Sequence, residues 1–340
     1  MIGEQEGSAA LRVAICVPAR DEVEELPRLF AALARLTYAA PSTLCLLLDS
    51  CRDDSLAVAR AAAAHALFPV VIEEAAQPAA NAGHARHGAM LLGLRTLGER
   101  PGVLLTTDAD SAPAPDWVTA MMAGLARADV VAGRVLRVVT RPNPLQDRLE
   151  RYYEALYALR RSLDPVAWEG TVTHHHASGA NLGLRADTYR ALGGFLPLAS
   201  GEDARLVDDA GRAGLRVRRD AAAIVYTSDR RRGRAEHGLA QSLLALDRGD
   251  GATVAHPHDA AWQYRCHALA RLAFSSSDFT ALAGVIGLSP DHALGVARDC
   301  PNAEAFAMRV VPTPPHGVRQ VPLVMAEAEL AAMSAERRAA

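Results

Sequence analysis

The chain has 340 residues, of which 50% are hydrophobic and 22% are charged. This composition supplies enough apolar side chains for a sizeable core and excludes a disordered or collagen-like polymer. With 36 basic against 39 acidic residues, the formal net charge is −3. We expect no nucleic-acid partner, because proteins that coat nucleic acid usually carry a basic excess. The sequence contains no lysine, which excludes catalysis through a lysine Schiff base.

The five cysteines are unevenly spaced and form no Cys-x-x-Cys pair. This pattern is typical of free thiols in a reducing compartment. No apolar run reaches 18 residues without a charge, and the first residues do not resemble a leader segment. We therefore expect a cytoplasmic protein without a transmembrane segment. A peripheral contact with a membrane and a homodimer stay open.

The first 140 residues alternate between short apolar runs and longer stretches with helical periodicity. This alternation predicts βαβ units and a mainly parallel sheet in an α/β fold. The apolar runs lack a polar face, as expected of strands buried on both sides. The predicted strands span residues 11–17, 43–48, 68–72, 102–107 and 130–139, and the predicted helices span residues 22–36, 53–66, 82–97 and 115–126.

The pattern changes after Pro142. A long amphipathic helix comes first, and from about residue 235 onward the chain is predicted to be mostly helical. The predicted helices span residues 145–163, 186–192, 203–213, 260–274, 279–287 and 324–333, with one predicted strand at 222–226.

Polar side chains follow three of the predicted strands at the point where each strand ends. In an open parallel sheet, ligands bind beyond these carboxyl ends. Capping of the helix that follows is an equally plain interpretation of the first cluster, and it suits Asp53 and Asp54 of the second better than Asp49, which ends the strand itself. The clusters are Arg20, Asp21 and Glu22 after the first strand, Asp49, Asp53 and Asp54 after the second, and Asp108 and Asp110 after the fourth.

The pair Asp108 and Asp110 is the most specific of these clusters. A buried apolar strand ends there in two carboxylates one residue apart. Burying unpaired carboxylates is costly, so such a pair needs a cation or a strong network of donors. Mg²⁺ and Mn²⁺ are bound in proteins by one or two carboxylates together with ligand phosphates. The sequence therefore predicts a site for one of these ions.

Seven segments, in this order, resemble the signatures of family-2 glycosyltransferases, which have the GT-A fold and use nucleotide-diphosphate sugars. The resemblance covers residues 11–238, and it departs from the family at Asp21, where the first signature has asparagine. The segments are Pro18-Ala19-Arg20-Asp21-Glu22, Asp49-Ser50-Cys51-Arg52-Asp53-Asp54-Ser55, Asn81-Ala82-Gly83-His84-Ala85-Arg86, Asp108-Ala109-Asp110, Gly179-Ala180-Asn181-Leu182-Gly183-Leu184-Arg185, Gly201-Glu202-Asp203 and Thr227-Ser228-Asp229-Arg230-Arg231.

The resemblance implies a three-layer α/β/α sandwich with a mainly parallel central sheet, followed by a mostly helical extension. The glycosyltransferase domain would span residues 1–248, with a nucleotide-binding half over 11–140 and an acceptor half over 141–248. The extension would span residues 249–340. The implied reaction is metal-assisted transfer of a sugar from a nucleotide-diphosphate donor to an acceptor hydroxyl, by direct displacement with inversion. The donor base, the sugar and the acceptor stay open.

The resemblance also implies roles for individual residues. Asp203 would be the catalytic base with Glu202 beside it, Gly179 and Asn181 would contact the acceptor, and Asp108 and Asp110 would bind Mg²⁺ or Mn²⁺. Without the resemblance, Glu202 and Asp203 would be ordinary acidic residues in the first turn of a helix. The implied nucleotide-sugar-binding residues are Pro18, Ala19, Arg20, Glu22, Asp49, Asp53, Gly83, Arg86, Asp108, Ala109, Asp110, Arg230 and Arg231.

A run of three histidines and one separate histidine are candidates for metal ligands. His174, His175 and His176 are consecutive, which is poor ligand geometry because neighbouring side chains on an extended chain point to opposite faces. We expect His176 to lie at the acceptor pocket, with a polar loop as the alternative. His237 is the nearby candidate for a histidine that completes the metal site.

Three other functions are alternatives to sugar transfer. A magnesium-dependent nucleotidyltransferase usually has a glycine-rich loop after its first strand, and residues 18–22 contain no glycine. A dinucleotide-binding dehydrogenase would need a Gly-x-Gly-x-x-Gly segment at the same place. A sugar-nucleotide-binding protein without activity is the third alternative. The joint presence of Asp108, Asp110, Glu202 and Asp203 argues against it.

Overall fold

The structure is a computed structural model that describes residues 11–38, 41–77, 81–231, 233, 239–248, 252–314 and 317–339. In its first part, strands and helices alternate as the apolar runs predict. The strands are β1 (Arg12–Ala19), β2 (Ser42–Asp49), β3 (Val70–Ala75), β4 (Gly102–Thr106), β5 (Ser111–Pro113) and β6 (Val130–Val138), and the helices are α1 (Leu26–Leu33), α2 (Ser55–Ala64), α3 (Ala82–Leu97) and α4 (Trp117–Leu125).

The second part adds two strands to the same sheet and then becomes helical. A 3₁₀ turn at Gly179–Asn181 leads into β7. The elements are α5 (Pro144–Leu163), β7 (Leu182–Arg185), α6 (Ala186–Ala191), α7 (Glu202–Arg212), β8 (Val217–Ser228), α8 (Leu239–Asp247), β9 (Thr253–Ala255), α9 (Pro257–Ser276), α10 (Thr280–Ile286), α11 (Pro290–Arg298), α12 (Ala303–Val310), β10 (Gln320–Pro322) and α13 (Leu323–Ala339).

The large sheet has the strand order β3-β2-β1-β4-β7-β6-β8-β5. It is mainly parallel: β1 pairs in parallel with both β2 and β4, β2 with β3, and β6 with β8. The exceptions are β7, which is antiparallel to β4 and β6, and β5, which is antiparallel to β8. The chain crosses from one side of β1 to the other between β3 and β4, and such a reversal opens a crevice at the carboxyl ends of the strands.

Helices cover both faces of this sheet, which confirms the predicted three layers. Because successive strand residues point to opposite faces, Ile15 and Leu105 pack with α1, α2 and α4, whereas Cys16 and Leu104 pack with α3, α6 and α7. These strand residues are almost fully buried. Each large apolar side chain buried in this way contributes about 1.5–3 kcal/mol.

The helices after residue 252 form a hydrophobic cluster of their own around Phe306, whose ring centroid lies 5.6 Å from Phe274 and 5.5 Å from Phe279. A further cluster joins this region to α5, with Tyr152 of α5 packed among residues that include Leu330 of α13. The extension is therefore mostly helical, as expected, while the boundary at residue 248 stays a prediction. Among the described residues, no helix is both long and apolar enough to cross a membrane.

Several element boundaries differ from those the sequence predicts. Helix α1 begins at Leu26, four residues later than expected, and Pro27 occupies its first turn, where a missing N–H costs nothing. Strand β8 runs from Val217 to Ser228 rather than over 222–226, and a break in its pairing with β6 falls between Gly133 and Arg134. The short strands β5 and β7 were not predicted.

Candidate active site

A cleft of about 690 Å³ opens at the carboxyl ends of β1, β2 and β4, where the strand order reverses. The segment that leads into α7 and the end of β8 close its other sides. Most of the residues that the resemblance implied line this one cleft. They are Pro18, Ala19, Arg20, Glu22, Asp49, Arg86, Asp108, Ala109, Asp110, Glu202, Asp203 and Arg230.

Arg86 of α3 is buried at the cleft and contacts four neighbouring groups. Its Nη1 lies 2.9 Å from Asp108 Oδ1 and donates to the Gly179 carbonyl at 2.8 Å and to Thr106 Oγ1 at 3.2 Å. Its Nε donates to Glu202 Oε1 at 3.1 Å. Burial alone would lower the pKa of Arg86, but the charges of Asp108 and Glu202 outweigh it and raise that pKa. The guanidinium is therefore a fixed cation.

Arg230 is the second cation of the cleft. Both of its terminal nitrogens donate to the Glu22 carboxylate, at 2.6 Å each. Its Nη2 also lies 3.1 Å from Asp110 Oδ2. Burial opposes its charge, and the hydrogen bond to Glu22 together with the charge of Asp110 raises its pKa. Each carboxylate of the Asp108–Asp110 pair thus has its own arginine.

Arg230 does not fully offset the effects of burial and of the neighbouring Asp108 charge on Asp110. Burial, followed by the charge of Asp108, raises the pKa of its carboxyl to about 7, and Arg230 opposes this shift. A carboxylate that resists ionisation beside a second carboxylate is a place where a further cation is stabilising. The two side chains offer oxygen donors, which suit Mg²⁺ or Mn²⁺. The residues present therefore fit a divalent ion.

Glu202 and Asp203 occupy the first turn of α7 but have different surroundings. Glu202 is 4% exposed and bound to Arg86; burial raises its pKa and Arg86 opposes the rise. Asp203 is less buried, and its Oδ2 accepts from the Gly179 N–H at 2.8 Å while Oδ1 accepts from the Ala204 N–H at 2.7 Å. These bonds fix the orientation of Asp203 at the cleft.

A glycine permits the turn that places this pair. Gly201 precedes Glu202 with φ +76°, in the left-handed region that favours glycine. Gly179 supplies the second link: its carbonyl accepts from Arg86 and its N–H donates to Asp203. A Cβ at Gly179 would lie 2.4 Å from the Arg86 guanidinium. Gly179 therefore acts through its backbone, and it joins the cation to the acid.

The end of β2 supplies a buried acid near Arg20. Asp49 is 2% exposed and accepts from Ser50 Oγ at 3.0 Å. Arg20 Nη1 lies 4.0 Å from Asp49 Oδ2 and has no hydrogen-bond partner among the described residues. Asp49 and Arg20 therefore form a polar part of the cleft lining.

Asn81, Ser200 and Gln241 are among the cleft-lining residues that were not predicted site residues. Asn81 caps α3 by accepting from the His84 N–H, and Ser200 precedes Gly201. Asn81 is the first residue of a matched segment and Ser200 lies next to another, so position alone could have indicated both. Gln241 of α8 also lines the cleft, but it lies beyond the last matched segment, and no pattern in the sequence points to it.

The structure places Asp53 and Gly83 outside the cleft lining. Asp53 accepts from the Val23 and Ser55 N–H groups, at 3.2 Å and 3.0 Å, so it holds the loops after β1 and β2 together. This agrees with the capping interpretation. Gly83 packs against the backbone near Leu196, where a Cβ would come within 2.0 Å of the carbonyl oxygen. Its place in the signature reflects close packing of α3.

Arg231 and Asn181 also point away from the cleft. Arg231 is bound to Asp229 at 3.1 Å and to Asp247 at 2.8 Å, so its charge is neutralised outside the lining. Asn181 is fully buried; it accepts from Trp117 Nε1 at 2.8 Å and donates to the Ala223 carbonyl at 2.9 Å. It ties β6, β8 and the 3₁₀ turn together, because a buried amide needs every partner it can find.

His176 lies in a packed group of histidines rather than on the cleft surface. Its ring centroid is 4.1 Å from His175 and 5.3 Å from His174. Burial lowers the pKa of His176 to about 3 and that of His174 to about 2, so both are neutral. His237 falls outside the described residues, so the predicted third metal ligand stays a prediction.

Comparison with known protein families gives one match to this chain. Residues 14–186, just over half of the chain, match the model of glycosyl transferase family 2. No curated protein sequence matches the chain.

Solved structures give more distant matches. S. aureus TarS 1–349 in complex with UDP-GlcNAc is 15% identical, with 88% of this chain and 90% of that chain covered and a TM-score of 0.49. The mannosyltransferase PcManGT from Pyrobaculum calidifontis with GDP-Man and Mn²⁺ is 16% identical, with coverages of 95% and 80% and a TM-score of 0.48. Glucosyl-3-phosphoglycerate synthase from Mycobacterium tuberculosis is 19% identical, with coverages of 72% and 84% and a TM-score of 0.45.

Proposed function

Since the chain belongs to glycosyl transferase family 2, we propose that it transfers a sugar from a nucleotide-diphosphate donor to an acceptor hydroxyl, with Mg²⁺ or Mn²⁺ and with inversion at the anomeric carbon. The observation that carries the proposal is one cleft in which Asp108 and Asp110 lie beside Arg86 and Arg230, with Asp203 at its edge. This is a site for a polyanionic ligand next to a general base.

The first requirement of the reaction is that the negative charge on the departing diphosphate be neutralised. A divalent ion held by Asp108 and Asp110 would supply Lewis-acid neutralisation of diphosphate oxygens. Arg230 lines the same cleft beside Asp110, and its positive charge would attract the diphosphate oxygens. Because the chain has no lysine, any side-chain cation on the diphosphate is an arginine.

Removal of the acceptor proton is the second requirement. An acceptor hydroxyl has a pKa far above 7, so a positioned carboxylate must take its proton as the new bond forms. Asp203 is the carboxylate that the backbone N–H groups of Gly179 and Ala204 hold at the cleft. Glu202 is bound to Arg86 instead, which makes it a positioning residue. One base and no covalent intermediate give direct displacement with inversion.

The substitution Asp203→Asn tests this assignment. We expect transfer to fall by at least about 10²-fold, the typical contribution of a general base, while nucleotide affinity is unchanged. The matched control is Asp209→Asn on the same helix, because Asp209 pairs with the exposed Arg205 and lies outside the cleft. Transfer rates follow from a screen of nucleotide sugars, and affinities from calorimetry with UDP and GDP, with and without Mn²⁺.

Two outcomes would contradict the proposal at different levels. Loss of both transfer and nucleotide affinity in Asp203→Asn would remove Asp203 from the role of base. Absence of metal-dependent nucleotide binding by the wild-type protein would overturn the proposed reaction itself.

A further inference from the structure

A second cavity, of about 190 Å³, lies on the other side of α7 from the cleft. The first turn of α7 carries Asp203 at the cleft, whereas Ala204 and Val207 line the second cavity. The end of α5, the start of β8 and helices α9 and α12 complete its wall. Its polar lining is dominated by arginines: Arg160, Arg161, Arg219 and Arg271.

Three of these arginines surround one aromatic ring. The guanidinium carbons of Arg219, Arg161 and Arg160 lie 4.9 Å, 5.4 Å and 5.8 Å from the centre of the Tyr157 ring. Each cation gains some stabilisation from the face of the ring. The ring cannot neutralise three positive charges, however, so the group needs anions.

The protein supplies too few carboxylates to this group. Arg160 has no ion pair among the described residues, and Arg219 gives its Nη1 only to the Tyr157 hydroxyl, at 3.1 Å. Arg161 lies 3.6 Å from Glu169 and 3.7 Å from Asp164, both beyond hydrogen-bond distance. The Nε atoms of all three arginines are buried and have no hydrogen-bond partner in the described part of the chain.

The acids that line the cavity have other partners. Glu304 binds Arg271 at 2.7 Å, and Asp208 binds Arg212 at 2.6 Å on the outer side of α7. Glu169 accepts from the Tyr157 hydroxyl at 2.7 Å and from the Arg219 backbone N–H at 2.6 Å. Glu304 and Asp164 hold Arg271 at close range, whereas Arg161 has the two longer contacts with Glu169 and Asp164.

The pKa of the neighbouring His267 is affected by the same arginine charges. Burial, followed by the charges of Arg160 and Arg271, lowers the pKa of His267 to about 3. Burial also lowers the pKa of Arg161; Arg160 adds to this shift, whereas Tyr157, Glu169 and Asp164 oppose it.

We propose that this cavity is an oxyanion site that binds the phosphate group of a small phosphorylated molecule, separate from the donor cleft. Arginine forks match phosphate oxygens and gain most where water is excluded. The volume admits a phosphate with a few further atoms. A bound molecule would contact α7, the helix that carries Asp203. The proposal goes beyond the donor reaction and does not depend on it.

Inorganic phosphate is the probe that tests the proposal, in calorimetry at constant ionic strength on the full chain without nucleotide. Arg160→Gln removes a guanidinium that holds no ion pair in the described structure, so it leaves the fold least disturbed. We expect phosphate affinity to fall by about tenfold or more, the loss of one charge-assisted hydrogen bond. Arg161→Gln should do the same. The matched control is Arg205→Gln, an exposed arginine on α7 that should bind phosphate like the wild type.

Two further results decide the location. Tungstate soaked into crystals of the wild-type protein should give anomalous density between Arg160, Arg161 and Arg219, which needs no variant to fold. If phosphate binding instead disappears in Arg230→Gln and persists in Arg160→Gln, the ion lies in the donor cleft and the proposal is wrong. Absence of both phosphate binding and tungstate density would overturn it as well.

Discussion

Arg86 and Glu202 form a buried ion pair at the floor of the cleft, 3.1 Å apart and both nearly excluded from solvent. Removal of one partner from such a pair leaves a buried charge without compensation. We expect Arg86→Met to lower the free energy of unfolding by about 3–5 kcal/mol, measured by urea denaturation. Glu202 and Asp108 both lose their cation in this variant, so Arg86→Met combined with Glu202→Leu should recover part of the loss, which a double-mutant cycle quantifies.

Arg95 is the matched control on the same helix. It pairs with Glu73 at the surface, where its side chain is 55% exposed. Surface pairs contribute about 0–1 kcal/mol, so Arg95→Met should change stability little. Equal losses in Arg86→Met and Arg95→Met would show that burial does not strengthen the dependence on Glu202.

The residues of the cleft show how far local patterns reach. Two carboxylates after an apolar strand predict a cation site, and the structure brings Asp108 and Asp110 to one cleft as expected. The pairing of Arg86 with Glu202, 116 positions away, depends on tertiary contacts that no local pattern records. Asp53 shows a different limit of the sequence. Capping a helix and binding a ligand both require an acidic residue at this place, so the sequence alone leaves both roles open.

At the scale of elements, the start of α7 depends on one glycine. Gly201 has φ +76° and no atom within 4 Å of an added Cβ, so a substitution meets backbone strain without a clash. We expect Gly201→Ala to lower the free energy of unfolding by about 1–2 kcal/mol. Transfer should fall more than donor affinity, because the first turn that carries Asp203 shifts. Urea denaturation and steady-state kinetics measure the two effects.

Gly284 of α10 is the control for this substitution. It also has no atom within 4 Å of an added Cβ, but its φ is in the ordinary helical range. Gly284→Ala should raise stability by about 0.5–1 kcal/mol, because alanine is the better helix former. If both variants gain stability, the turn before α7 is not constrained to the left-handed region.

The elements that the sequence predicted are those with enough residues for a pattern. Helix α3 has the predicted bounds, since its sixteen residues carry a clear cap at Asn81. Strands β5 and β7 have three and four residues, too few to show a period. Strand β8 extends beyond the predicted 222–226 because residues 218–220, near its start, are charged although they pair in the sheet, so its apolar run is shorter than the strand.

At the scale of the whole molecule, the order of the strands in the sheet could not be predicted from their order along the chain. Alternating strands and helices predict a parallel sheet, and β1 to β4 obey this. The antiparallel β7 then enters between β4 and β6. The buried Asn181 lies just before β7, and its amide hydrogen bonds join that point to α4 and β8. Such a network forms only when the fold is complete.

Buried neutral histidines make the stability of the whole protein depend on pH. Burial lowers the pKa of His174 to about 2 and those of His176 and His267 to about 3, whereas an unfolded chain has a histidine pKa of about 6.5. Unfolding below this value takes up a proton at each, so the stability present above about pH 6.5 is lost as the pH falls. Asp110 acts in the opposite sense, because its raised pKa lets the native state hold a proton up to about pH 7.

The variant His267→Gln isolates one histidine from this sum. Near pH 5, the slope of unfolding free energy against pH should decrease by about 1.4 kcal/mol per pH unit, the contribution of one proton. Urea denaturation over pH 5–8 measures the slope. The matched control is His65→Asn at an exposed position, which should keep the wild-type slope. A slope unchanged in His267→Gln would mean that His267 gains its proton in the folded protein, and that the positive field around Tyr157 is weaker than its arginines imply.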